Sequence, residues 1–243
     1  ATQVGEAFKF MGMAGMETND IIAATPNILA LATAGSMEIG RASDIATDTM
    51  TAFGMSALDT GRIVDVMAAA TLNSNMTLEQ MGESLKYVSA AARGAGIPLE
   101  QISTALGTLG SAGIKGSQAG TSLRMSIIKL TEETDKGRDI LTAYGLTYDD
   151  INPKVHGLEG ALMALKNAGV QSQDIFAMFG ARAGQSMNAL IQNMDDFDRI
   201  QKAVMDNFGS AADMQAQKLA TLGGEFKLFV SAVQGLSLSV FES

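Results

Sequence analysis

The sequence predicts an all-α chain, built as an array or bundle of short helices. Hydrophobic residues make up 47% of it and aromatic residues only 5%. The hydrophobic residues are mainly Ala, Leu, Ile and Met, which are good helix formers. Only three Pro interrupt 243 residues, so long stretches are free to be helical. Signals for the start of a helix recur along the first half of the chain.

The periodicity of the first half predicts a succession of helices of about three to four turns. Val4, Ala7, Phe8 and Met11 follow helical spacing, so the chain opens in a helix. The 26 Gly should mark helix ends or close crossings, because a Gly inside a helix costs roughly 1 kcal/mol relative to Ala. The later start signals are Glu17-Thr18-Asn19-Asp20, Ser36-Met37-Glu38, Ser56-Ala57-Leu58, Asn75-Met76-Thr77, Gly96-Ile97-Pro98 and Gly113-Ile114-Lys115.

Two of these starts are near copies, each with Leu-Glu-Gln after the capping position. In the first, Thr77 and Gln80 have the spacing of a capping box. In the second, Pro98 takes the cap or the first helical position, where its missing N–H does no harm. Met76 and Ile97 precede the caps and are placed to act as hydrophobic staples. The repeat indicates successive short helices packed side by side.

The composition and the pattern of the sequence change after residue 130. Residues 132–136 are mostly charged, and residues 144–156 contain Tyr-Gly, Asp-Asp and Asn-Pro turn signals. We therefore expect an irregular or extended insertion near 144–156, with at most a short strand pair. Helical periodicity returns at Leu158. The prediction is an N-terminal helical array over 1–130, a charged, irregular connector over 131–157 and a C-terminal helical region over 158–243.

An apolar stripe lies at the end of the chain. It predicts an interface with copies of this chain or with partner proteins, since an exposed apolar patch commonly marks a contact site. The alternative is that the stripe packs on the chain's own core. Because the helical pattern is unbroken at Ser243, we expect the sequence to be a fragment of a longer polypeptide. The stripe comprises Phe226, Phe229, Val233 and Leu236.

No catalytic residue, metal site or cofactor is predicted. The Gly-rich run 107–122 lacks the Lys that must follow the last Gly of a phosphate-binding loop, and no strand precedes it. It is better explained as a tight turn flanked by small residues that let two backbones approach. His156 is the single histidine and Cys is absent, so neither zinc nor a catalytic triad is indicated. The pairs Asp149-Asp150 and Asp195-Asp196 are typical of caps or solvated faces.

Several segments together resemble a known family. The most specific is Gly113-Ile114-Lys115-Gly116-Ser117 with its continuation to Arg124, and a Phe-Gly pair follows at the expected distance. Segments 11–16, 34–37 and 144–146 add to the match, which covers nearly the whole chain. The chain resembles the conserved domain of phage tail tape measure proteins. The signature positions are Gly113, Lys115, Gly116, Gly120, Thr121, Arg124, Phe179 and Gly180.

The resemblance implies a structural role in the virion without chemistry in this domain. A tape measure protein lies in the lumen of the tail, sets tail length, organises tube assembly at the tip or baseplate, and leaves ahead of the DNA. The implied partners are further copies, tail tube proteins, tip or baseplate hub proteins and tail assembly chaperones, with membrane contact during infection. The implied location is the host cytoplasm during assembly, then the tail interior.

Charge and composition are compatible with this role. The net charge of −9 disfavours specific binding of nucleic acid through its phosphates. The 16 Met provide adaptable packing for a chain that has to be displaced. The rival class is a membrane-active helical bundle, suggested by the apolar C-terminal face and by Gly-x-x-x-Gly at Gly180 and Gly184.

Overall fold

The computed structural model describes residues 2–206 and 209–221, and this part of the chain is helical with no strand. The predicted all-α class is confirmed. A single turn of 3-10 helix, Ala57–Asp59, precedes the fourth helix. The helices are α1 (Thr2–Met13), α2 (Thr18–Gly35), α3 (Ile39–Phe53), α4 (Thr60–Leu72), α5 (Leu78–Gly94), α6 (Leu99–Ser111), α7 (Gly116–Thr131), α8 (Asp135–Ala143), α9 (Pro153–Asn167), α10 (Ser172–Gln192), α11 (Met194–Met205) and α12 (Ser210–Thr221).

The two copied helix starts form as predicted. The Gln80 N–H donates to the Thr77 hydroxyl at 3.2 Å, and the Thr77 N–H donates to the Gln80 side chain at 3.1 Å. This reciprocal pair is a capping box and begins α5. Pro98 occupies the N-cap of α6. Met76 and Ile97, the apolar residues ahead of the caps, are both buried. Local capping chemistry therefore sets both helix starts.

The irregular segment is shorter than predicted and is not extended. Residues 144–152 form turns, and α9 begins at Pro153. Asp150 closes the turn by accepting from both the N–H and the hydroxyl of Thr147, at 2.8 and 2.7 Å. Asn152 then caps α9 with Pro153 in its first turn. His156 lies exposed in α9, so its assignment to a loop was wrong. These local caps favour a turn and a helix over a strand pair.

The predicted connector contains a helix of its own. Thr134 caps α8 by accepting from the Gly137 N–H at 3.1 Å, and the Tyr148 hydroxyl accepts from the Thr134 N–H at 3.1 Å. One buried apolar cluster extends from Ala7 to Ala211 among the described residues. The division at 130 and 157 stays a prediction.

The core is built from small and adaptable side chains. Phe197 on α11 is the largest fully buried side chain, and Met67 and Met81 are also fully buried. Many of its other members are Ala, which lets helices approach closely. Within the described residues, no helix combines the length and hydrophobicity that a bilayer crossing requires.

Candidate functional site

A glycine turn leads into the first signature string. The Ile114 N–H donates to the Leu109 carbonyl at 2.8 Å, and the Gly113 N–H donates to the Gly110 carbonyl at 3.1 Å. This pair of bonds is the Schellman ending of a helix, which places the residue at Gly113 in the left-handed region. Gly113 has a φ of 86°. The turn therefore ends α6 and aims the chain into α7, with Lys115 as its N-cap.

The signature glycine in the middle of α7, Gly120, allows this helix to contact α5. A methyl group at Gly120 would lie 2.2 Å from the carbonyl oxygen of Ser84, so only hydrogen fits there. The Ser84 hydroxyl donates to the Gly116 carbonyl at 2.8 Å and links the same two helices. From the sequence, we expected the close approach to join α6 and α7, the two helices that flank the turn. The helix that approaches α7 at Gly120 is instead α5, which precedes both of them.

The Phe-Gly pair bends α10. Gly180 has φ 76° and ψ 174°, outside the helical region, while Phe179 beside it is buried. A methyl group at Gly180 would meet no other atom within 4 Å. The Gly-x-x-x-Gly spacing therefore does not produce the close packing expected at Gly180. Its other glycine, Gly184, lies against Phe176 of the same helix, where a methyl group would be 2.8 Å from the ring.

The two signature strings meet along α7 and α10, although they lie far apart in the sequence. The Ser126 hydroxyl on α7 donates to the Ala183 carbonyl on α10 at 3.1 Å, in a buried position. Beside this contact is a groove of about 510 Å³ between the two helices. We call it the α7–α10 groove; it is lined by Ser117, Gln118, Thr121, Ala181, Arg182 and Gln185.

Basic side chains lie at and near the groove. Arg182 lines it and is exposed, Arg124 is exposed on α7, and Lys115 is half-buried at the start of that helix. Among the ion pairs of residues 2–206 and 209–221, none involves these three side chains. The groove thus offers hydroxyl, amide and guanidinium groups to a partner.

The sequence identified some of these residues and missed others. Thr121 belongs to the signature and lines the groove. Ser117 and Gln118 lie inside the same string but carried no prediction, and neither did Arg182. Ser84 gave no signal, since its role depends on which helix packs on α7. The apolar stripe Phe226, Phe229, Val233 and Leu236 lies outside the described residues.

The carboxylate pairs serve local structure. The pKa of Asp150 is lowered, first by the Thr147 hydroxyl bond and then by the Thr147 N–H bond. Asp195 and Asp196 lie in the first turn of α11, where the helix dipole favours negative charge. In the described part of the chain, no three acidic or histidine side chains are grouped in a way that would hold a metal ion. The helix caps beside these pairs are instead Asn152 and Asn193, while Asp149 and Asp195 are exposed to solvent.

A second cavity of about 540 Å³ lies among α1, α3 and α5. Asp48 lines it, and the pKa of this carboxyl is raised, chiefly by burial and further by the neighbouring Asp44. Lys86 also lines the cavity and lowers the Asp48 pKa in part. The hydroxyls of Thr47 and Ser89, which also line the cavity, donate to backbone carbonyls of their own helices.

The sequence of the chain matches a family of phage tail proteins. The family described as phage-related minor tail protein matches residues 1–180, a range that includes both signature strings. The chain belongs to this family, whose members are structural components of phage tails. It is also similar to the tape measure protein of Pneumococcus phage Dp-1. The two are 27% identical over 248 residues, which is 96% of this chain and 22% of that protein. No solved structure matches this chain.

Proposed function

We propose that this chain is the folded segment of a tape measure protein, a structural component that lies in the lumen of a phage tail. The observation that carries the proposal is the family match over residues 1–180, which includes every signature residue and the α5–α7 contact at Gly120. The similarity to a tape measure protein over 96% of this chain supports the same assignment.

For the whole protein we propose the three roles of a tape measure. It sets tail length, organises tube assembly at the tip or baseplate, and leaves the tail ahead of the DNA. Its partners are then tail tube proteins, tip or baseplate hub proteins and tail assembly chaperones. The membrane contact that we expect during infection belongs to the last of these roles. Assembly takes place in the host cytoplasm.

The geometry supports assembly, rather than length measurement, as the part played by this segment. A ruler made of one continuous helix gains about 1.5 Å per residue, so 220 residues would span roughly 330 Å. Among the helices of residues 2–206 and 209–221 the longest, α10, has 21 residues and is bent at Gly180. A compact chain of 243 residues has a radius of gyration of about 18 Å. A compact body of this kind adds little length and suits an anchoring role.

An in-frame deletion in the phage that encodes the chain tests this proposal. Removing residues 2–221 should abolish assembled tails, leaving filled heads and unassembled tail proteins in electron micrographs. The control is a deletion of equal length elsewhere in the same protein, which should shorten the tail and leave its assembly intact. Intact tails shortened by roughly 330 Å after deletion of 2–221 would show that this segment is part of the ruler.

A further inference from the structure

The exposed face of α7 beside the groove is polar and basic. Ser117, Thr121 and Arg124 are spaced by four and three residues, so they share one face of the helix. Ser117 and Thr121 line the groove together with Arg182 of α10. Arg124 is exposed one turn beyond Thr121. This face therefore continues the basic character of the groove along the helix.

Acidic residues are absent from the sequence around this face. Residues 101–131 contain Lys115, Arg124 and Lys129 and no Asp or Glu. Residues 175–194 contain one charged side chain, that of Arg182. Lys129 is paired with Glu132 at 3.2 Å. In a chain of net charge −9, this concentration of positive charge is an exception and fits an acidic partner.

A surface of opposite charge is formed by the residues that come directly after the C-terminal end of α7. We call residues 132–150 the acidic segment; six carboxylates and two basic side chains give it a net charge of −4. Arg138 is already paired, with Glu133 at 3.1 Å and Asp135 at 3.2 Å. Asp139 and Asp149 are exposed, and neither takes part in an ion pair among the described residues.

These two surfaces are not paired within one copy: no ion pair of the described residues joins Arg124 or Arg182 to the acidic segment. Along α7, Arg124 lies about 10 Å and Ser117 about 21 Å before Thr131, where the acidic segment follows. Both distances exceed the Debye length of about 8 Å at physiological ionic strength, so screening weakens the attraction along this helix. A second copy can bring its acidic segment into direct contact with the groove.

We propose that the α7–α10 groove binds the acidic segment of a second copy of this chain. Arg124 and Arg182 form charge-assisted hydrogen bonds with its carboxylates. The Ser117 hydroxyl and the side-chain amides of Gln118 and Gln185 donate further hydrogen bonds. The contact is heterologous, because a pair of copies keeps one free groove and one free acidic segment, so copies add in rings or open rows. The contact is a property of the chain and does not depend on the proposed role in the tail.

Sedimentation velocity of the chain at low and high salt tests the contact. The chain should associate at about 20 mM salt and dissociate near 500 mM, where an exposed charged interface is screened. The charge-reversal variant Arg124→Glu/Arg182→Glu should be monomeric at both salt concentrations. The matched control, Lys154→Glu/Lys202→Glu, changes the same number of exposed charges away from the groove and should associate like the original chain.

A charge swap identifies the occupant of the groove. Asp139→Arg/Asp149→Arg should also be monomeric alone, since its acidic segment has lost its charge complementarity. An equimolar mixture of the two monomeric variants should associate again, because each supplies the surface that complements the other. Melting curves check that each variant is folded. Arg124→Gln/Arg182→Gln, which removes the two charges without reversing them, should also weaken association. A monomeric original chain, association unaffected by the groove variant, or a mixture that stays monomeric would each overturn the proposal.

Discussion

At the scale of single residues, the signature glycine in the middle of α7 has one structural task. Gly120 removes the side chain at the point where the α7 backbone meets the carbonyl oxygen of Ser84 on α5. A backbone oxygen cannot rotate away from an added methyl group as the end of a side chain can. The requirement for Gly at this position is therefore steric.

We expect Gly120→Ala to lower the free energy of unfolding by about 3 kcal/mol, the cost of forcing a methyl group into a closed contact. Gly94→Ala is the control, because a methyl group there meets no atom within 4 Å and φ is not positive. The control should leave stability unchanged or raise it by up to about 1 kcal/mol. Urea unfolding measures both. Equal stability of the two variants would contradict the steric explanation.

A second residue-scale prediction concerns Ser84, whose hydroxyl connects α5 to the start of α7. The hydroxyl lies 2.8 Å from the Gly116 carbonyl and also 2.8 Å from the Gln80 carbonyl of its own helix, so Ser84→Ala, which removes the interhelical bond, should cost about 1 kcal/mol. Ser89 is the matched control, because it is also buried on α5 but donates only to Leu85 of its own helix. Ser89→Ala should change the urea midpoint much less. A reversed order would show that the α5–α7 hydrogen bond contributes nothing to stability.

At the scale of helices, α10 is divided by its signature glycine. Gly180 has φ 76° and ψ 174°, a conformation that is essentially restricted to glycine. The helix contacts α8 and α9 as well as α7, and Ala183, after the bend, receives the hydrogen bond from Ser126 of α7. The bend thus directs the second part of α10 along α7.

Gly180→Ala should therefore destabilise the chain by about 2 kcal/mol, although a methyl group at this position would meet no neighbour. The same urea series measures it, with Gly94→Ala again as the reference. If Gly180→Ala is as stable as the reference, the bend can relax into a straight helix, and the division of α10 would be unimportant to the fold.

Helix starts were predictable from the sequence, but helix contacts were not. Thr77 with Gln80 and Pro98 act through their nearest neighbours in the chain, so a window of a few residues is enough to identify them. Gly120 meets Ser84, 36 residues earlier, and no local pattern indicates which helix it approaches. Gly180 illustrates another limit, since Gly-x-x-x-Gly spacing does not distinguish close packing from a bend.

At the scale of the whole molecule, the described residues form many short helices around one apolar cluster that extends from Ala7 to Ala211. The resemblance predicted the family, composition and helix-start signals predicted the all-α class, and both predictions are confirmed. The α7–α10 groove was not predictable, because Ser117 and Arg182 meet only through tertiary packing. The assembly role that we propose depends on this compactness, since an extended helix would instead act as part of a ruler.

The most direct test of the account is a distance between the two signature regions in solution. The chain has no Cys, so Ser117→Cys/Gln185→Cys accepts one spin label at each side of the groove without background labelling. Pulsed electron paramagnetic resonance at high salt should give a narrow distribution below about 25 Å, from a helix spacing of 8–10 Å plus the label arms. A broad distribution extending towards about 100 Å, the separation of these residues in one continuous helix, would contradict the compact fold.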